Sequence, residues 1–165
     1  MNFKGDEMKL GLAEILEEAS KPRKNSDKAA VLRKYASPPL YIVLKYALDP
    51  KVKWGLPEGS PEYKPSPYLD NEGLLYAEIR TLYMFVDEGD DFMNLDQYKL
   101  ITREGLKKKP IKRQNLFVQL LESVMPADAQ LLLAMKEKKL PYRITAKVVE
   151  EAFPGLLDLE DTKVG

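Results

Sequence analysis

Lysines and arginines in two stretches of the chain have the clearest capacity for chemistry. The first stretch contains the single acid Glu104 and the cations Lys99, Arg103, Lys107, Lys108, Lys109, Lys112 and Arg113. The second surrounds the turn at Leu140-Pro141 and contains Lys136, Lys138, Lys139, Arg143 and Lys147. Each phosphate that a cation neutralises releases condensed counterions, so clustered cations bind a nucleic-acid backbone cumulatively. Both stretches therefore predict phosphate contacts, with a solvated surface or an acidic protein partner as the alternatives.

Catalytic residues are not indicated by the rest of the sequence. The chain has no histidine and no cysteine, which removes the usual general base near pH 7, the commonest metal ligand and every thiol nucleophile. Gly55 and Gly59 lack the Lys-Ser or Lys-Thr that completes a phosphate-binding loop. The acids of residues 87–91 do not have the ligand spacing of a calcium loop. We therefore expect no enzyme activity, no metal and no cofactor. Of the functions that we considered, an enzyme that uses carboxylates and a metal has the least support.

A proline-rich segment at residues 49–70 separates two parts of the chain in which apolar residues recur at helical spacing. Five prolines forbid a regular helix there and predict an extended chain. Its aromatic residues Trp54, Tyr63 and Tyr68 either pack on the body of the protein or form an exposed strip that stacks bases or docks a partner. With Tyr142 beside the second basic stretch, they are the candidate partner-binding residues.

Apolar residues at helical spacing predict the elements that must position these side chains. Leu12, Ile15, Leu16 and Ala19 follow the i, i+3, i+4, i+7 pattern of an amphipathic helix. The segment after Pro38 is almost entirely apolar, which favours a buried helix and leaves a strand open, and residues 95–101 form a short helix or a strand. Further helices are expected from Asn25 or Ser26, at 74–86, at 116–124, after Pro126 and at 144–152. Lys107-Lys108-Lys109-Pro110 is expected to be a loop. The sequence thus predicts an all-α, single compact multi-helix domain over residues 1–157, with an acidic tail at 158–165.

Length and charge set further limits. A chain of 165 residues can bury one core, and its formal net charge of zero means that any attraction to nucleic acid must come from local clusters. The N-terminal residues contain no uninterrupted apolar run, so we expect neither a signal peptide nor a membrane span. The expected location is the cytoplasm.

Two stretches of the chain resemble a known family. Residues 11–53, with Leu32-Arg33-Lys34-Tyr35, and residues 115–157, which end near Phe153-Pro154-Gly155-Leu156, are similar to the start and end of the N-terminal helical DNA-binding domain of T-even-type phage ATP-dependent DNA ligases. The stretch at 53–59 is also similar to an uncharacterised small protein of T-even-like cyanophages. The ligase domain binds duplex DNA on the minor-groove side around a nick. The resemblance implies that Lys136, Lys138, Lys139, Arg143 and Lys147 contact phosphates.

The nucleotidyl-transfer motif Lys-x-Asp-Gly of those ligases does not occur in this chain, so the resemblance does not extend to ligase activity. The sequence favours a non-catalytic, phage-type protein that binds DNA or accompanies DNA processing through backbone contacts. Its expected partners are duplex DNA or a phage or host protein complex, and no membrane. The alternative is a protein-interaction or virion-associated structural factor that does not bind nucleic acid.

Overall fold

Prolines and polar caps divide the chain into short helices. The computed structural model describes residues 10–66 and 74–159. In these residues the α-helices are α1 Leu12–Ser20, α2 Asn25–Lys34, α3 Pro38–Leu48, α4 Leu74–Glu78, α5 Gln97–Lys107, α6 Pro110–Ser123, α7 Pro126–Lys136 and α8 Ala146–Ala152. Helices α3, α6 and α7 all have proline in the first turn, where the missing amide hydrogen would have no helical partner. Ser37, Asp96 and Thr145 cap α3, α5 and α8 through their side-chain oxygens.

The extended parts of the chain form one short ribbon. Strand β1, Lys53–Trp54, pairs antiparallel with β2, Val86–Glu88. Two 3₁₀ helices, Ile79–Phe85 and Asp91–Met93, flank β2. The ribbon attaches the proline-rich segment to the helical body, and the fold is mainly α, which confirms the predicted class.

One hydrophobic core receives side chains from all of α1, α2, α3, α6, α7 and α8. Its largest completely buried side chains include Tyr46, Phe85, Phe117, Leu12, Leu16, Leu32, Leu44, Leu121 and Leu131. The buried carboxylate of Asp128 in α7 accepts a hydrogen bond of 3.1 Å from the amide of Ala13 in α1, which satisfies a free amide at the start of that helix. Apolar packing and this cap together fix α1 against α7.

The predicted helix at 74–86 is wrong beyond Glu78. The chain continues as a 3₁₀ helix and then as β2. The carbonyl groups of Tyr83, Met84 and Val86 accept hydrogen bonds from the side chains of Arg103 and Arg113. Because arginine satisfies these carbonyls, the backbone does not need helical amides to do so.

Two segments for which the sequence left helix or strand open are helical. The apolar segment after Pro38 is α3, and residues 97–101 are the first part of α5. The loop predicted at 107–110 is shorter than expected, because Lys107 ends α5 and Pro110 already starts α6. Residues 67–70 of the proline-rich segment and the tail from 160 lie outside the described residues. No helix in the described ranges is both long enough and apolar enough to cross a membrane.

Candidate functional site

Arg103 belongs to the interior of the protein. Only 5% of its surface is exposed, its Nη2 donates to Asp90 Oδ2 at 2.6 Å, and its Nε donates to the carbonyl of Tyr83 at 3.0 Å. The hydroxyl of Tyr46 donates to the same Asp90 oxygen at 2.9 Å. The prediction of a phosphate contact at Arg103 is therefore corrected, since its guanidinium group is occupied by protein acceptors.

Arg113 is corrected for the same reason. It is 3% exposed, and its guanidinium group lies between β2 and the start of the proline-rich segment. Its Nε donates to Met84 O at 2.7 Å, and its Nη1 lies 2.9 Å from Asp87 Oδ1. A Cβ atom at Gly55 would overlap with the guanidinium group of Arg113 and the carboxylate of Asp87, so a larger residue here would displace this pair.

Lys136 and Lys138 hold the proline-rich segment against α7. Lys136 is buried, and its ammonium group donates to Pro57 O at 2.8 Å and pairs with Glu137. Lys138 donates to the carbonyls of Tyr46, at 2.9 Å, and Asp49, at 2.7 Å. The pKa of Lys138 is lowered to about 8, mainly by burial, while Asp49 opposes the shift and Lys53 adds to it. The prediction that Lys136 contacts phosphate is thus corrected, and the bonds of Lys138 are to the protein itself.

Four exposed lysines remain in the first basic stretch, at the tip of the hairpin that α5 and α6 form. Lys107 pairs with Glu104 at 3.0 Å, whereas no ion pair within the described residues involves Lys108, Lys109 or Lys112. Lys99 lies partly buried, 5.8 Å from the ring centroid of Tyr83. The first turn of α6 contains no acid, and Lys109 at its N-cap makes no side-chain cap. This tip is therefore strongly positive.

Helices α2 and α8 bring the second stretch together with cations that the sequence prediction missed. Lys28 Nζ donates to the carbonyl of Arg143 at 2.7 Å, and Arg33 Nη1 donates to the carbonyl of Glu151 at 3.3 Å. The first bond joins the N-terminal ends of the two helices and the second joins their C-terminal ends. Helices α2 and α8 therefore run parallel, with their N-terminal ends adjacent. We define the α2–α8 surface by the exposed cations at this end: Arg23, Lys24, Arg143 and Lys147.

No ion pair within 4.0 Å involves any of these four cations in the described part of the chain. Lys24 makes no side-chain cap at the N-cap of α2, so the amides of the first turn add positive potential beside Arg23 and Lys24. Asp27 in that first turn is an acid within this surface, and Glu150 lines the same cavity as Lys147. Lys139 is exposed at the preceding turn, where Glu137 faces it. The Lys21-Pro22-Arg23-Lys24 run was the sequence signal that could have identified the first two cations.

The aromatic candidates pack on the protein. Trp54 Nε1 donates to Tyr46 O at 2.9 Å and its ring stacks edge-on against Tyr46. The hydroxyl of Tyr63 accepts a hydrogen bond of 3.0 Å from Gln130. Tyr142 is half-buried against the core, and burial raises its pKa. Tyr68 lies outside the described residues. The described aromatics thus follow the packed alternative of the two that the sequence left open.

The exposed apolar residues are elsewhere, on the α5–α6 hairpin. Tyr98 is 77% exposed, Ile101 61% and Ile111 78%. Leu100 is 39% exposed on the same helix as Tyr98. Sequence reasoning did not identify them, because a few apolar residues in a helix are usually part of a core. In the described residues no group of three or more acidic side chains is arranged to hold a metal ion.

Comparison with known proteins gives a family and no function. A family model described as a family of unknown function, DUF6433, matches residues 15–142. The matched range includes α2 and the whole α5–α6 hairpin, and it ends just before Arg143. No curated protein and no solved structure matches the chain.

Proposed function

The chain belongs to DUF6433, a family of unknown function, and we propose from its own surface that it binds the phosphate backbone of duplex DNA without catalysing a reaction. The α2–α8 surface makes the contact. Arg23 and Lys24 enter from the α1–α2 connection, and Arg143 and Lys147 from the start of α8. The protein acts as an accessory factor that positions itself on DNA independently of sequence, because these contacts read charge and not base edges.

One hydrogen bond carries this proposal. The buried ammonium group of Lys28 donates to the carbonyl of Arg143, which joins segments 115 residues apart. This contact, together with the packing of α2 on α8, brings the cations of residues 23–24 and 143–147 to one end of the helix pair. Together they offer several phosphate contacts whose counterion release adds up.

The resemblance to the ligase DNA-binding domain supports the same surface. The resembling stretches, residues 11–53 and 115–157, contain α2 and α8 respectively. Of the cations that the resemblance implicates, Lys139, Arg143 and Lys147 are exposed and outside any ion pair within the described residues, and Arg143 and Lys147 lie beside the start of α8. The exposed lysines of the hairpin tip are the competing DNA-facing set, so the experiment compares the two sets directly.

The experiment measures binding to a fluorescent duplex by anisotropy from about 50 to about 200 mM salt. The variant Lys24→Gln/Arg143→Gln/Lys147→Gln should weaken binding and reduce the slope of log affinity against log salt by about 3, one unit per lost phosphate contact. The matched control, Lys108→Gln/Lys109→Gln/Lys112→Gln, removes equal charge from the hairpin and should leave the slope unchanged.

Two results would contradict the proposal. Wild-type protein that does not bind duplex at low salt would remove DNA as the partner. A larger loss in the hairpin variant than in the α2–α8 variant would assign DNA binding to the hairpin. Circular dichroism of each variant checks that its helices are intact.

A further inference from the structure

The exposed apolar residues of the α5–α6 hairpin have no role in the proposed function. In residues 10–66 and 74–159, the large apolar side chains that are exposed are Tyr98, Leu100, Ile101 and Ile111. All four lie on α5 or in the first turn of α6. Apolar residues scattered singly over a surface need no explanation, whereas a group of them on one element marks a contact site.

The direction of these side chains follows from the helix period. Arg103 and Leu106 are the buried residues of α5 and attach it to the body of the protein. Tyr98, Ile101 and Gly105 are spaced i, i+3, i+7, so they share the opposite face of the helix. The exposed apolar stripe therefore points away from the core and cannot be buried by a small shift of α5.

Gly105 is a second observation that indicates a contact on this face of α5. Glycine inside a helix is less stable than alanine, and it is usually explained by close packing or a left-handed backbone. A Cβ atom at Gly105 would meet nothing within 4 Å, and its φ is outside the left-handed region. Nothing in the described fold requires glycine here. A partner whose backbone approaches α5 closely at this point would require it.

The charge around the stripe determines the kind of partner. Lys107, Lys108, Lys109 and Lys112 are the exposed cations where α5 ends and α6 begins, next to Gly105 and Ile111 in the chain, and the acids of α5 are Glu104 and its N-cap Asp96. We propose that this hairpin docks an acidic amphipathic helix of a partner protein. Its apolar side chains pack on Tyr98 and Ile101, its backbone crosses α5 at Gly105, and its carboxylates face the lysines. This inference is independent of DNA binding at the α2–α8 surface.

The probe is a synthetic amphipathic helix of about 18 residues, or five turns, with leucine on one face and glutamate on the other. A second peptide with the same leucines and lysine in place of glutamate is the control. Chemical shifts of the full-length protein in NMR report the site. The acidic peptide should shift the amides of residues 98–109 and 111, and the basic peptide should bind at least about tenfold more weakly.

Two single substitutions test the mode of docking. Ile101→Ser should weaken binding of the acidic peptide about tenfold or more, because it removes an apolar anchor. Gly105→Ala should weaken binding through steric overlap while raising the melting temperature by about 2 °C, as expected for a better helix former. A variant that is more stable yet binds less well cannot be explained by misfolding.

Several outcomes would overturn the inference. Equal binding of both peptides, or unchanged binding by Gly105→Ala, would show that the partner is not an acidic helix docked in this way. Sedimentation that shows a wild-type dimer lost on Ile101→Ser would make a second copy the occupant. Loss of duplex or anionic-vesicle binding on Ile101→Ser would assign the stripe to nucleic acid or to a lipid surface.

Discussion

Arg103 Nη2 and Asp90 Oδ2 form an ion pair of 2.6 Å in the interior, where neither side chain is more than 6% exposed. The hydroxyl of Tyr46 donates to the same carboxylate oxygen, so the pair joins α5 to α3. Burial raises the pKa of Tyr46, and the charge of Asp90 raises it further. The phenol therefore stays protonated and keeps donating its hydrogen bond above the pH at which an exposed tyrosine ionises.

Removing the cation of this pair should be costly. Arg103→Met leaves the Asp90 charge buried without its partner, and it should lower the free energy of unfolding by about 3–5 kcal/mol. Urea unfolding followed by circular dichroism measures the change. The control is Lys107→Met on the same helix, whose exposed pair with Glu104 should contribute less than about 1 kcal/mol. Equal effects of the two substitutions would show that the buried pair does not stabilise the fold.

The role of a cation in this protein depends on burial, and composition does not reveal burial. The sequence identified the basic stretches and the helices that carry them. It could not separate Arg103 and Arg113, which bond to carbonyls at the end of a broken helix, from Lys108 and Lys112 beside them. Those carbonyls belong to residues 83–86, and only the folded chain brings them next to α5 and α6. The hydrogen bond from Lys28 to the carbonyl of Arg143 could not be predicted for the same reason.

A glycine at the turn after β2 provides a second test of the fold. Gly89 has φ of +94°, and a Cβ atom there would overlap with the carbonyl group of Lys51. Gly89→Ala therefore combines backbone strain with a steric clash, and it should cost about 3 kcal/mol or more in urea unfolding.

Gly59 is the matched control for that substitution. Its φ of +88° is similar, yet a Cβ atom there would meet nothing within 4 Å. Gly59→Ala should therefore cost only the backbone strain, about 1 kcal/mol. If both variants lost the same stability, the close approach of Gly89 to Lys51 would not contribute to the ribbon.

The aromatic residues show how far pattern reading extends. Proline spacing correctly predicted that residues 49–66, the described part of this segment, do not form a regular helix. Two interpretations of Trp54 and Tyr63 remained, and the choice between them depended on hydrogen-bond partners that the sequence pattern does not reveal. Tyr46 O accepts from the indole of Trp54, and Gln130 donates to the hydroxyl of Tyr63. Conversely, Tyr98 and Ile101 have the composition of a core helix, and only the position of Arg103 on the opposite face shows that they point outward.

Lys138 should make stability depend on pH. Burial lowers the pKa of its ammonium group to about 8, below the 10.5 of the unfolded chain. Between these two values the unfolded state binds more protons, so the free energy of unfolding rises with pH. Below the lower value both states are charged, and the cost of burying the charge is fully present. From pH 7 to 9.5 we expect a gain of about 1 kcal/mol, allowing for screening by solvent.

The measurement compares wild type with Lys138→Met, which cannot titrate at this position, by urea unfolding at pH 7, 8, 9 and 9.5. The difference in unfolding free energy should move in favour of wild type as pH rises. Burial raises the pKa of Tyr76, Tyr83 and Tyr142, so their titration destabilises the protein only above about pH 10, and stopping at 9.5 excludes it. A pH-independent difference would mean that Lys138 titrates alike in both states and that its bonds to Tyr46 and Asp49 offset the cost of burial.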